Sequence, residues 1–286
     1  VSMPKIKAVR LSPREQLGDK ELVVLGPSLG TSTVMWDDAA RLLGDDYDIL
    51  GWDLPGHGIS PAADPDTEFS IGELADAVVA LVDSIVPAPG DGRPVRFHYA
   101  GDSVGGATGA ELALRHPDRL LSLAMFCSSA RFNGAEGYAE RADQVAKQGT
   151  AVRLQASAEI WFAPGFLGSH PTESSRLLHT LRDADRFGYA AVCRAIAAYD
   201  VRDRFGEIAV PFLAVAGEFD SVCPIADARW MAEHAQDGTA VEVPGVAHIA
   251  PTEDPALVAD LLRKHFAAAA RTVSGVDGSG AGQEAR

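Results

Sequence analysis

The chain has 286 residues, 47% of them hydrophobic, and a formal net charge of −15 at neutral pH. That length allows a sizeable core in one large domain or two small ones. The charge argues against nucleic acid or an anionic membrane as partner, and no apolar run reaches the roughly 18 residues a membrane helix needs.

The opening VSMPKIKAVR lacks the apolar core of a signal peptide, so a cytoplasmic protein is expected. Ile6, Ala8, Val9 and Leu11 alternate weakly and predict an edge strand. Glu21 to Gly26 is a short apolar run of the kind buried on both faces of a sheet, and it delivers the chain into Gly26-Pro27-Ser28-Leu29-Gly30. A helix is predicted from about Val34 to Leu43, then a second buried strand from Tyr47 to Trp52, ending at a Pro55-Gly56-His57-Gly58 turn. Ser70 and Glu73 make a capping box, followed by a helix face of Ile71, Leu74, Val78, Leu81, Val82 and Ile85.

The stretch Val95–Glu111 runs strand, Gly101-Asp102-Ser103-Val104-Gly105, then helix from Gly106 to about His116. Leu120 to Cys127 is a further strand. Alternating strands and helices of this kind predict a mostly parallel, doubly wound sheet. The rhythm breaks over residues 128–205, which carry helical patches and aromatic clusters but no clear strand, and read as a helical cap inserted into a core formed by residues 1–127 and 206–270. Alternation resumes with strand Val210–Ala216, a helix from about Ile225 to His234, and strand Thr239–Val243. A last helix is capped by Asp254 with Pro255 at its first position. Residues 271–286, rich in Gly, Ser and Ala, read as a disordered tail. Cys127, Cys193 and Cys223 have no metal-like spacing and read as reduced thiols.

G-x-S-x-G between a strand and a helix is the pattern of a nucleophile elbow. The turn is so tight that side chains two positions either side of Ser103 would collide, hence Gly101 and Gly105. Asp220, past the strand Phe212–Ala216, and His248, between the strand Thr239–Val243 and the last helix, follow in the order Ser, Asp, His of the α/β-hydrolase arrangement. In that scheme His248 is the base for Ser103, and Asp220 orients the imidazole. Glu218 competes with Asp220 for the acid role, and His57 is a rival base that reads better as a loop anchor. The oxyanion hole requires two N–H donors, one from Val104 and one from the Gly26–Gly30 loop, where the register points to Leu29.

From about Leu22 to Ala269 the chain resembles an α/β-hydrolase, with a cap after the sixth strand, and within that superfamily the 3-oxoadipate enol-lactonases of the β-ketoadipate pathway of aromatic degradation. Ser28-Leu29-Gly30-Thr31 with Met35-Trp36-Asp37 is similar to their N-S-L-G-T…M-W-D, and Phe187 to Cys193 to their G-Y-A-A-C-C. Cys127 to Gly134 and Ala198 to Arg202 resemble two further cap segments. Asp102 departs from the pattern by placing an extra carboxylate beside or under the nucleophile, and Ser128-Ser129 replaces the usual Asn-Thr.

The resemblance implies hydrolysis of a small anionic lactone through an acyl-enzyme, with no metal or organic cofactor. A buried substrate carboxylate needs a cation. Arg131 is expected as the clamp, with Trp36 and Trp161 as apolar walls and Arg202 and Arg204 in reserve. A carboxylesterase, another lactonase or a perhydrolase of the same fold is the alternative, and a slow-turnover, hydrolase-like ligand sensor is the alternative of another class.

Overall fold

The short apolar runs become strands because a β-rich segment buried on both faces needs no polar alternation. Every residue of β2 (Leu22–Gly26), β3 (Asp48–Asp53) and β4 (Phe97–Asp102) is buried. The computed structural model describes residues 3–12, 17–18, 20–90 and 92–276. With β1 (Lys7–Arg10), β5 (Leu120–Phe126), β6 (Phe212–Gly217) and β7 (Gly238–Val243) these strands form one sheet of order β1-β3-β2-β4-β5-β6-β7. β1 runs antiparallel to β3, and every other neighbouring pair is parallel. This is the mostly parallel sheet that the alternation predicts, and the architecture that the α/β-hydrolase resemblance implies.

The helices are α1 (Asp37–Leu43), α2 (Ile71–Ile85), α3 (Val104–Arg115), α4 (Ala135–Gln148), α5 (Leu154–Trp161), α6 (Phe166–Ser169), α7 (Pro171–Asp183), α8 (Arg186–Ala197), α9 (Ile225–His234), α10 (Ala250–Glu253) and α11 (Pro255–Val276). Local chemistry sets their starts. Glu73 N donates to Ser70 Oγ at 3.1 Å while Ser70 N donates to Glu73 Oε2 at 2.7 Å, closing the capping box of α2. Leu257 N donates to the Asp254 side chain at 3.0 Å, and Pro255 occupies the first turn of α11.

Three boundaries differ from expectation. The helix predicted from Val34 begins as a 3₁₀ turn, Thr33–Trp36, before α1, because the Ser32 side chain caps a tight first turn. α3 begins at Val104 rather than Gly106, since Ser103 itself is the N-cap. α11 runs on to Val276, past the expected limit of the core at residue 270; residues 277–286, where the rest of the predicted tail falls, lie outside the described residues.

Helices α4 to α8 all fall between β5 and β6. They therefore follow the fifth strand, not the sixth, because only β1 precedes β2 among the described residues. α4 packs on α8, and Leu181, Trp161 and Tyr189 of these helices lie against Gly30, at the C-terminal end of β2. In parallel sheets that edge is where ligands bind. No helix among the described residues is long and apolar enough to cross a membrane. All three cysteines are buried and unbridged.

Candidate active site

β4 ends at Asp102, and Ser103 takes φ 53°, ψ −117°, a conformation that costs a non-glycine residue about 1–3 kcal/mol. The surroundings hold it there. Ser103 N donates to Phe126 O at 2.8 Å, and Ser128 Oγ donates to Ser103 O at 2.7 Å. Gly105 N reaches Pro27 O at 3.1 Å, while Tyr99 OH donates to Gly105 O at 2.9 Å. The Ser128 that stands in place of the usual Asn thus supports the elbow directly.

The loops after β6 and β7 bring Asp220 and His248 together, with His248 Nδ1 at 3.1 and 3.0 Å from the two carboxylate oxygens of Asp220. Burial alone would raise the Asp220 carboxyl. The charge of His248, its hydrogen bond and those from Cys223 N and Val222 N hold it below the usual range instead. Glu218, the rival acid, faces away and accepts from Gly245 N at 2.8 Å. The Asp220 contact leaves His248 Nε2 free for chemistry. Ser103 and His248 line one cavity, though no hydrogen bond closes between Oγ and the imidazole; such bonds commonly tighten only with substrate.

The backbone of the histidine loop is anchored in the helical segment. His248 N and Ile249 N both donate to Trp161 O at 3.2 Å. Glu253 spans the junction, accepting from Ala247 N at 2.7 Å and from Ala163 N at 2.6 Å. Burial pushes the Glu253 carboxyl up to about 7.

The backbone N–H groups of Leu29 and Val104 have no hydrogen-bond partner among the described residues, as oxyanion donors require. Their neighbours are pinned. Thr31 Oγ1 donates to Ser28 O at 2.8 Å, and Gly30 N donates to His57 Nε2 at 3.2 Å. His57 Nδ1 lies 2.9 Å from Pro55 O, so the network assigns the proton to Nδ1. Burial lowers the imidazole to about 4 and keeps it neutral. With both ring nitrogens engaged, His57 is an anchor of the Leu29 loop and not a base.

The cavity has a volume of about 400 Å³, within the range of small-molecule sites. Trp161 lines it, as expected. Trp36 does not: its side chain is fully buried, Nε1 donates to Gly26 O at 3.0 Å, and the ring packs edge-on against Phe126. Arg131 does not either. It lies half-exposed in a separate groove with Arg202 and Trp230, 3.9 Å from Asp200. The reserve residues are equally spent, Arg202 on Asp200 and Arg204 on Glu207. The cations that do line the cavity are Arg141 and Arg153. Sequence reasoning missed them, although Arg141 sits three residues after Tyr138 on the apolar face of α4, where a cation is out of place.

Asp102 is wholly buried next to Ser103, and neither oxygen has a well-formed hydrogen bond, Ser28 alone approaching. Burial, with the nearby charges of Asp220 and Glu253, pushes its carboxyl well above the usual range. A carboxyl raised by folding costs stability as pH climbs from its ordinary value toward its folded one, because the folded state holds the proton longer. Asp102→Asn is therefore expected to flatten the fall in Tm between pH 5 and pH 8 and to be relatively more stable at the alkaline end. A Tm–pH profile parallel to that of the wild type would show that Asp102 carries none of this linkage.

Donor atoms of Cys127, Asp220 and His248 lie within 4.8 Å of one another. They make a poor metal site. The Asp220–His248 hydrogen bond already engages the donors, and burial pushes the Cys127 thiol well above its ordinary range, whereas a metal ligand must be a thiolate.

A family model described as alpha/beta hydrolase fold matches residues 21–255. A 3-oxoadipate enol-lactonase of Acinetobacter baylyi is 32% identical over 238 residues, covering 83% of this chain and 85% of the relative. A pimeloyl-acyl-carrier-protein methyl ester esterase of Aeromonas hydrophila is 28% identical over 260 residues, covering 88% of this chain and 97% of the relative. Among solved structures, the enol-lactonase from Burkholderia xenovorans LB400 superposes with a TM-score of 0.82 at 27% identity, covering 92% of this chain and 96% of that one.

Proposed function

The chain belongs to the alpha/beta hydrolase fold family, and from that premise we propose that it hydrolyses a small ester or lactone through Ser103, with 3-oxoadipate enol-lactone as the specific substrate. The reading rests above all on one juxtaposition: a strained Ser103, an Asp220-bonded His248 and the unpartnered N–H of Leu29 meet at one small cavity. The enol-lactonase relatives supply the substrate.

In this reading Ser103 Oγ attacks the lactone carbonyl as His248 Nε2 takes its proton. The tetrahedral oxyanion is held by the Leu29 and Val104 N–H groups. Collapse breaks the ring C–O bond, and His248 returns the proton to the enol oxygen, after which the enol tautomerises to the ketone. A water deprotonated by His248 then attacks the acyl-enzyme, releasing 3-oxoadipate and restoring Ser103. Asp220 keeps the imidazole in the required tautomer and stabilises its cation.

The test is a spectrophotometric assay on enzymatically generated enol-lactone, in which saturable, Ser103-dependent turnover is expected. Slow single turnover of p-nitrophenyl acetate with no lactone hydrolysis would instead identify a ligand sensor. The similarity to a methyl ester esterase supports a carboxylesterase as second reading, and faster turnover of longer acyl esters than of the lactone would favour it.

A further inference from the structure

Many arginines among the described residues are matched to an acid, among them Arg41 with Asp38, Arg115 with Asp76, Arg119 with Asp83, Arg176 with Asp37 and Arg263 with Asp46. Arg141 and Arg153 are not. Among the described residues neither forms an ion pair, and the buried Nε of each has no hydrogen-bond partner. Both line the cavity that holds Ser103 and His248, and both act electrostatically on the Tyr189 hydroxyl at its wall. Arg141 lies over the Tyr138 ring, 4.7 Å from its centroid, which orients the guanidinium without neutralising it. Arg141 is desolvated by burial and gains a hydrogen bond with the Tyr189 hydroxyl but no carboxylate. In a protein of net charge −15, Glu140 lines the adjoining groove with both arginines, yet among the described residues no carboxylate closes an ion pair with either.

We propose that Arg141 and Arg153 form a carboxylate subsite of the reaction cavity, so that the preferred substrates are esters or lactones bearing an anionic group. The proposal rests on the hydrolase reading given above and replaces Arg131 with residues the cavity contains. Planar guanidiniums bind carboxylates through paired, charge-assisted hydrogen bonds. Hydrolysis adds a second carboxylate, so the product is a dianion held by the same pair. Simple dicarboxylates should therefore bind the resting enzyme.

That binding is measured without turnover. Adipate is expected to raise the Tm of the wild type in a concentration-dependent way, and adipamide, of the same length but neutral, is not. Arg141→Gln and Arg153→Gln should each weaken adipate binding by about 10- to 100-fold, the range for one charged hydrogen-bonding partner. Each should also lower, by a similar factor, the kcat/KM ratio of an anionic over a neutral ester, such as the p-nitrophenyl monoester of glutaric acid over p-nitrophenyl acetate. Arg131→Gln serves as comparator. If adipate shifts the wild type no more than adipamide, or if Arg131→Gln is the variant that abolishes the shift, the subsite is overturned. The wild-type comparison decides the matter even if a variant fails to fold. Ser103-dependent turnover without charge preference would sink the subsite and leave the hydrolase standing, whereas adipate binding without Ser103-dependent turnover would do the reverse.

Discussion

Replacing Ser103 by Ala, or His248 by Ala, is expected to lower kcat by about three orders of magnitude or more, and replacing both is expected to cost little beyond either alone. Nucleophile and base act on the same proton, so once one is lost the other has nothing to do. His248 is held to that task by its contact with Asp220 and by two backbone bonds to Trp161 O. Asp220→Asn should fall short of the full loss, since it spoils the tautomer while leaving the imidazole in place. Glu218→Gln should be near neutral, because that carboxylate is spent on Gly245 N. Steady-state rates with p-nitrophenyl acetate, measured on the two single variants and the double, decide the point. Losses that multiply would separate Ser103 and His248 into independent contributions and remove the basis of the acyl-enzyme scheme.

The second large effect is expected at a glycine that touches no substrate. A Cβ built on Gly105 would sit 2.6 Å from the carbonyl carbon and oxygen of Gly26 and 2.8 Å from Pro27 O. These are backbone atoms of the Leu29 loop and cannot rotate away. Overpacking of this kind costs about 3 kcal/mol or more where nothing can yield, which for a domain of this size corresponds to a fall in Tm of roughly 6–12 °C. Whatever movement relieves the clash separates α3 from the loop after β2, and so pulls the N–H groups of Leu29 and Val104, the proposed oxyanion donors, apart. Gly105→Ala should therefore lose both stability and rate. Gly168→Ala is the control: an added Cβ meets no atom within 4 Å, and its place in α6 favours alanine. Thermal melts of both, beside the wild type, are sufficient. A Gly105→Ala protein as stable and active as the parent would mean that the elbow is looser than its hydrogen bonds imply.

The parts of this molecule that depend on neighbouring residues along the chain are legible in the sequence. The capping box at Ser70 and Glu73, the Asp254–Pro255 helix start and the Gly-x-Ser-x-Gly turn each state their own geometry, because the groups that satisfy one another lie within a few positions. The succession of strands and helices along the chain, and the place of Asp220 and His248 after β6 and β7, follow from the alternation of buried runs with helices. The direction of a long side chain leaving a loop does not. Arg131 stands just past β5, as expected, yet Asp200 draws it toward the surface. Trp36 stands beside the oxyanion loop, yet its indole finds the carbonyl of Gly26 and the edge of Phe126 beneath it. Both outcomes were decided by partners remote in sequence. Arg141 carries a fainter signal, a charge on the face of α4 that also bears Tyr138, Ala142 and Val145. Periodicity can flag such a residue as anomalous, but only packing tells which cavity it enters.

The seam between Trp161 O, Ala163 N, Glu253 and the backbone of residues 247–249 bears on how this chain can be re-engineered. A chimera designed to exchange substrate range would naturally take its helices as one cassette, with a cut placed in the loop after α5. Such a graft carries off the acceptor for His248 N and one of the two donors that satisfy Glu253, leaving a half-satisfied carboxyl group beside the His248 loop. The junctions should therefore fall outside 161–163, with those residues kept from whichever parent supplies the histidine.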